Sequence, residues 1–230
     1  MDRSLKPLDV AYGSAVRSDS LRVLRNTYAL LALSMVPTVL GAWLGVATNF
    51  SFFSGNPLIG FVAFMAVAFG FFFAINKYKN SGVGVVLLLG FTFFMGLMLS
   101  RLLGAVLGIG NGVQLISIAF GGTALVFAGM ATLASTMKRE VGGLGKWLTV
   151  GAVVLLVAIV ANIFLQMPAL YMTISAIAVV LFSAFMLYDL KRIIDGGETN
   201  YVTATLAIYL DVYNVFQSLL SLLGFFGGDD

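Results

Sequence analysis

Apolar residues run along this chain in blocks about twenty residues long, separated by short polar segments. The blocks fall at about 27–48, 57–76, 83–103, 113–136, 147–166, 168–188 and 202–226. Each can carry an α-helix across a bilayer, whose hydrocarbon core takes roughly 20 residues. The narrowest break is Met167-Pro168, between the fifth and sixth blocks. Proline at the first position of a helix lacks only an N–H that would be unbonded there, so it marks a restart. A single helix through both blocks would be about 60 Å long, twice the bilayer core. The pattern therefore predicts an all-α integral membrane protein with seven transmembrane helices.

Composition sharpens this. Hydrophobic residues make up 60% of the 230 and charged residues only 10%, whereas a soluble domain is about one-quarter charged. A soluble globular domain and a disordered chain are both excluded. The absence of Cys and His removes Ser-His-Asp and Cys-His nucleophile systems, HExxH zinc sites, CxxC redox pairs and His-ligated haem. The net charge is +3, but the cations sit in loops and report topology, not nucleic-acid binding.

Residues 1–26 form a polar N-terminal tail with Arg3, Lys6, Arg17, Arg22 and Arg25. It is too long and mixed for a signal-peptide n-region and reads as a retained cytosolic segment. With that tail inside, Lys77, Lys79, Lys138, Arg139, Lys146, Lys191 and Arg192 also fall inside, and only Arg101 of the 13 cations falls outside. Such one-sidedness is the positive-inside signature. The division is a cytosolic tail over 1–26, a seven-helix domain over 27–226, and an acidic C-terminal tail over 227–230, outside. Small residues at Gly41 and Gly45, Gly121-Gly122 and Gly129 suggest close helix packing. Phe71-Phe72-Phe73 reads as lipid-facing and core bulk, Arg101 as a side chain reaching headgroups, and Asn162 and Gln166 as interhelical hydrogen-bonding groups.

Nine of the ten acids lie in tails, loops or at helix ends; Asp211 does not. It falls about nine residues into the seventh block, ~14 Å along the helix and near the bilayer middle. An Asp there costs about 2.5–3.5 kcal/mol on insertion scales and must face protein or water. Asp211, Asn214, Ser218 and Ser221 follow spacings of three, four and three, which is one helical stripe. That stripe predicts a buried seam or pore wall on a central last helix surrounded by the other six. Gln217 lies beside it and is ambiguous. The candidate partner for Asp211 is Asp189, 22 residues earlier at the end of the sixth block, where a helix-end acid near Lys191 and Arg192 is the alternative. Two carboxyls in contact would share a proton and titrate as a coupled pair. Such a pair suits proton sensing, or Ca²⁺, which takes oxygen ligands.

Tyr188-Asp189-Leu190 and Tyr209-Leu210-Asp211-Val212-Tyr213-Asn214 resemble the Bax inhibitor-1 (TMBIM) family. The likeness extends through Val23-Leu24-Arg25-Asn26-Thr27-Tyr28, the segment from Gly121 to Phe127, that from Ala161 to Gln166, Pro168-Ala169-Leu170, and Gly196-Gly197-Glu198-Thr199-Asn200-Tyr201. The resemblance implies a bundle whose last helix is enclosed by six others. It also implies a pair of aspartates, here Asp189 and Asp211, associated with a proton-controlled Ca²⁺ leak. A bacterial inner-membrane branch is associated instead with binding and restraining FtsH, a membrane-anchored ATP-dependent zinc protease, through the cytosolic N-tail.

Three functions compete. A non-enzymatic modulator of an FtsH-type protease explains the missing catalytic groups. A pH-gated Ca²⁺ leak explains the mid-membrane charge. An intramembrane aspartyl protease has two aspartates on adjacent helices, but such enzymes carry Gly-x-Gly-Asp at the second one. Here Ile208-Tyr209-Leu210-Asp211 stands there, and Pro168-Ala169-Leu170 precedes the first aspartate instead of following the second. No cofactor is expected beyond H⁺ or Ca²⁺ at the pair.

Overall fold

The computed structural model describes residues 7–50, 56–138 and 141–227, with side chains from residue 19 onward. Arg3, Lys6, Arg139 and the Asp229-Asp230 terminus, and the side chain of Arg17, lie outside the described residues. The described residues form seven helices and no strand: α1 (Pro7–Ala47), α2 (Pro57–Tyr78), α3 (Gly82–Leu107), α4 (Gly112–Thr136), α5 (Leu144–Leu165), α6 (Pro168–Ile194) and α7 (Tyr201–Phe226). All seven are long and apolar enough to cross a membrane. Helices satisfy every backbone group internally, which the bilayer interior requires.

Helix starts follow local chemistry. The Asn56 side chain accepts from the Leu58 and Ile59 amides, ahead of Pro57. Pro168 restarts the chain at α6 after α5 ends on Gln166, whose φ of 50° is left-handed. The Asn162 carboxamide oxygen accepts from the Met167 amide at 3.0 Å. Asn162 therefore closes its own turn, and the interhelical bonds expected of Asn162 and Gln166 are not what the structure holds.

Three helices run past their apolar blocks. α1 begins at Pro7, inside the segment read as a tail. α3 continues to Leu107, so Arg101 stands within the helix. α6 continues to Ile194, so Asp189 is not at a helix end. Hydropathy marks where a helix leaves lipid, whereas backbone hydrogen bonding carries it on into polar surroundings.

Apolar tails solvate an exposed Leu as well as another helix does, so packing in lipid rests on close contact and hydrogen bonds. The tightest case joins α1 to α3. A Cβ on Gly96 would run into the Thr38 carbonyl, and one on Gly41 into the Phe93 carbonyl. A Cβ on Gly45 would run into the Ser100 side chain. Gly121 and Gly129, expected to pack closely too, face open space, and Gly122 makes only ordinary contact with Leu219. Phe71 and Phe72 pack on Phe91, while Phe73 points outward.

α7 packs against α6, α4, α1, α3 and α2, whereas α5 rests mainly on α6. The main core gathers Ile75, Leu88, Phe91, Met186, Ile208 and Tyr209 around this helix.

Candidate functional site

The α6–α7 hairpin builds the site. α7 starts on Asn200, whose side-chain oxygen accepts from the Val202 and Thr203 amides at 3.0 and 3.2 Å. Its amide nitrogen donates to the Lys79 carbonyl at 3.2 Å and to the Asn80 side chain at 2.8 Å. Glu198 accepts from the Asn200 backbone amide. One side chain thus caps α7 and ties the hairpin to the α2–α3 turn.

This start fixes the level of Asp211. Asp189 lies five residues before the end of α6 and Asp211 ten residues after the start of α7, an offset of about 7 Å at 1.5 Å per residue. Side chains lean toward the N-terminus of their own helix. In an antiparallel pair the two carboxyls therefore lean toward one another, and the offset closes. The Asp189 and Asp211 carboxyls lie close enough to act on one another.

Asp211 is only 4% exposed, and its Oδ2 is buried with no partner among the described protein donors. Two carboxylates are both acceptors, so a bond between them needs a proton held by one. Asp189 is half-buried, and the other charges acting on it are Arg192 and Glu198. These two also face each other at 3.8 Å. Lys191 turns away to pair with Asp195, so of the two cations beside Asp189 in sequence only Arg192 bears on it, along with Asp211. Among the described residues no group of three or more acidic, His or Cys side chains could hold a metal. A Ca²⁺ ion here would have two carboxylates, against a usual shell of six to eight oxygens.

The rest of the stripe divides. Asn214, Ser218 and Ser221 line a cavity of about 570 Å³ with Gln217, whereas Asp211 lies outside its lining. Asn214 donates to the Leu210 carbonyl, and Ser221 shares a 2.8 Å hydrogen bond with the Tyr171 hydroxyl. Shared helical phase put these residues on one side of α7, but the diverging neighbours give that side two surroundings.

Sequence reasoning missed the two tyrosines flanking Asp211. The Tyr209 hydroxyl shares a 2.9 Å hydrogen bond with the Thr38 hydroxyl and lies 3.4 Å from the Thr92 carbonyl. Tyr213 donates to the Met95 carbonyl at 3.1 Å. They lock the opposite side of α7 to α1 and α3, holding Asp211 toward α6. The available signal was a phenol in mid-span, which needs a polar partner.

The family model described as inhibitor of apoptosis-promoting Bax1 matches residues 21–228. The Modulator of FtsH protease YccA of Escherichia coli strain K12 is 39% identical over 208 residues, covering 90% of this chain and 92% of the relative. Its counterpart in E. coli O6:H1, with the same identity and coverage, is named Inner membrane protein YccA. An uncharacterized protein of Neisseria meningitidis serogroup A is 40% identical over 210 residues, 90% of this chain and 92% of that one. With a family match across all seven helices and relatives aligned over nearly their full length, this chain belongs to the Bax inhibitor-1 family.

Proposed function

We propose that this chain is a multi-pass protein of a bacterial inner membrane that binds and modulates an FtsH-type membrane protease, with no catalysis of its own. The observation that carries this reading is the 39% identity, over 90% of the chain, to the E. coli relative named Modulator of FtsH protease. In this reading the N-terminus is cytosolic, the C-terminus is outside, and α7 is the central helix enclosed by the other six. The one-sided cations support the orientation, and the five packing partners of α7 support its central place.

The test is capture of FtsH from detergent-solubilised membranes by the tagged full chain and by a chain lacking residues 1–18. That truncation ends ahead of the first apolar block, which starts at about residue 27. Capture by the full chain and its loss on truncation is the expected result. Absence of FtsH from the full-chain eluate, with degradation of a membrane-protein substrate unchanged, refutes the reading.

We propose as a second, separate reading a proton-responsive Ca²⁺ leak in the same chain, for which the nearness of Asp189 to Asp211 is the support. The pair holds α6 against α7 while one proton is shared and repels when both carboxyls ionise. Arg192 and Glu198 are the other charges that bear on that balance. Liposomes holding the protein should admit Ca²⁺ at a rate that varies with pH, and Asp211→Asn should flatten the variation. Flux equal to that of empty liposomes at every pH refutes the leak and leaves the protease reading standing.

A further inference from the structure

The 570 Å³ cavity is a cleft with α2 and α3 on one wall, α5 and α6 on the other, and α7 as its floor. It opens sideways: its lining includes Phe69 at the bundle surface, 65% exposed. From Ala152 to Asn162 along α5 it is about 15 Å long.

Its two ends differ. At the end where α5 and α7 finish, Asn162, Tyr171, Gln217 and Ser221 face in, with Ser218 just deeper. At the other end the walls are Phe72, Phe91, Ala152, Ala178 and Phe182. Two polar groups there have no protein partner. The Gln217 carboxamide makes no hydrogen bond among the described residues, and neither does the Ser218 hydroxyl, although Ser218 is only 8% exposed. An unbonded amide facing hydrocarbon costs several kcal/mol, so these groups favour an occupant that donates and accepts hydrogen bonds over an acyl chain. No lining side chain carries a charge, so a phosphate or carboxylate would stay unpaired.

Size narrows the choice. A partner's helix filling this length, 10–12 Å across, would need on the order of 1,200 Å³, about twice what is present. The volume matches a small-molecule pocket of roughly 300–1,000 Å³.

We infer that this cleft binds one neutral single-chain amphiphile from the bilayer, its uncharged hydrogen-bonding head on Gln217, Ser218 and Asn162 and its acyl tail between α2 and α6. The head lies toward the leaflet next to the end of α7, and the tail points to the bilayer middle.

The test uses the full chain in nanodiscs with a monoacylglycerol carrying a diazirine on its acyl chain, cross-linked and mapped by peptide mass spectrometry. The expected label sits on cleft residues of α2, α5 and α6 and is competed by unlabelled monoacylglycerol. A lysophosphatidic acid of the same chain should compete far less. Gln217→Leu should raise the half-saturating concentration about tenfold, the size of one or two hydrogen bonds. Ala152→Phe, which fills the tail end without touching the polar end, should abolish the labelling. Label spread evenly over the lipid-facing sides of α1 and α4, or equal competition by the anionic lipid, overturns the inference. So does unchanged labelling of the Ala152→Phe chain.

Discussion

Replacing Asn200 separates two tasks that one side chain performs. Its oxygen caps α7 through the Val202 and Thr203 amides, and its nitrogen binds Lys79 and Asn80 across the α2–α3 turn. Loss of an Asn cap costs about 1 kcal/mol. Each cross-turn bond contributes about 0.5–1.5 kcal/mol, and the one to Asn80 is exposed and belongs at the low end. Asn200→Ala should therefore lower stability by about 2–3 kcal/mol. Serine caps about as well as asparagine but is too short to reach the α2–α3 turn, so Asn200→Ser should cost only about 1–2 kcal/mol. Asn80→Ala should cost about 0.5–1 kcal/mol alone and nothing further on top of Asn200→Ser. Reversible unfolding in mixed micelles with increasing sodium dodecyl sulfate, followed by circular dichroism, measures all four. If Asn200→Ser matches the wild type, the cross-turn bonds contribute nothing. If it matches Asn200→Ala, the cap contributes nothing, and either result refutes the division of labour.

The helix contacts make further predictions. Gly96→Ala should abolish folded yield, because its Cβ meets the Thr38 backbone, whereas Gly121→Ala and Gly129→Ala, both open, should keep it; detergent size-exclusion profiles distinguish them. Tyr213→Phe should cost about 0.5–1.5 kcal/mol by losing its bond to the Met95 carbonyl, read in the same micelle titration. Asp211→Asn should stay within about 1 kcal/mol of the wild type, since a carboxamide can donate to Asp189, while Asp211→Leu should cost about 1–3 kcal/mol by leaving Asp189 without that neighbour. Equal stabilities for the two Asp211 variants would mean that the carboxyl pair makes no net bond.

The sequence by itself determined the seven helices, because about twenty apolar residues between polar breaks have one solution in a bilayer. It also determined which residues had to be enclosed: Asp211, Ser218 and Ser221 would each be penalised by lipid, and all three are buried. Spacing made Asp189 the candidate partner of Asp211 without proving the approach, since the turn between the two helices leaves an offset of a turn or two. Helical phase could not say what each residue on the stripe would face. Only the tertiary structure set Asp211 against α6 and turned Gln217 and Ser218 into a cleft, since that depends on where non-adjacent helices diverge. Nor could spacing rank the glycines. Gly96 touches a backbone and Gly121 touches nothing, although both stand in equally apolar helices, because close approach is a property of two helices and a sequence pattern reports one at a time.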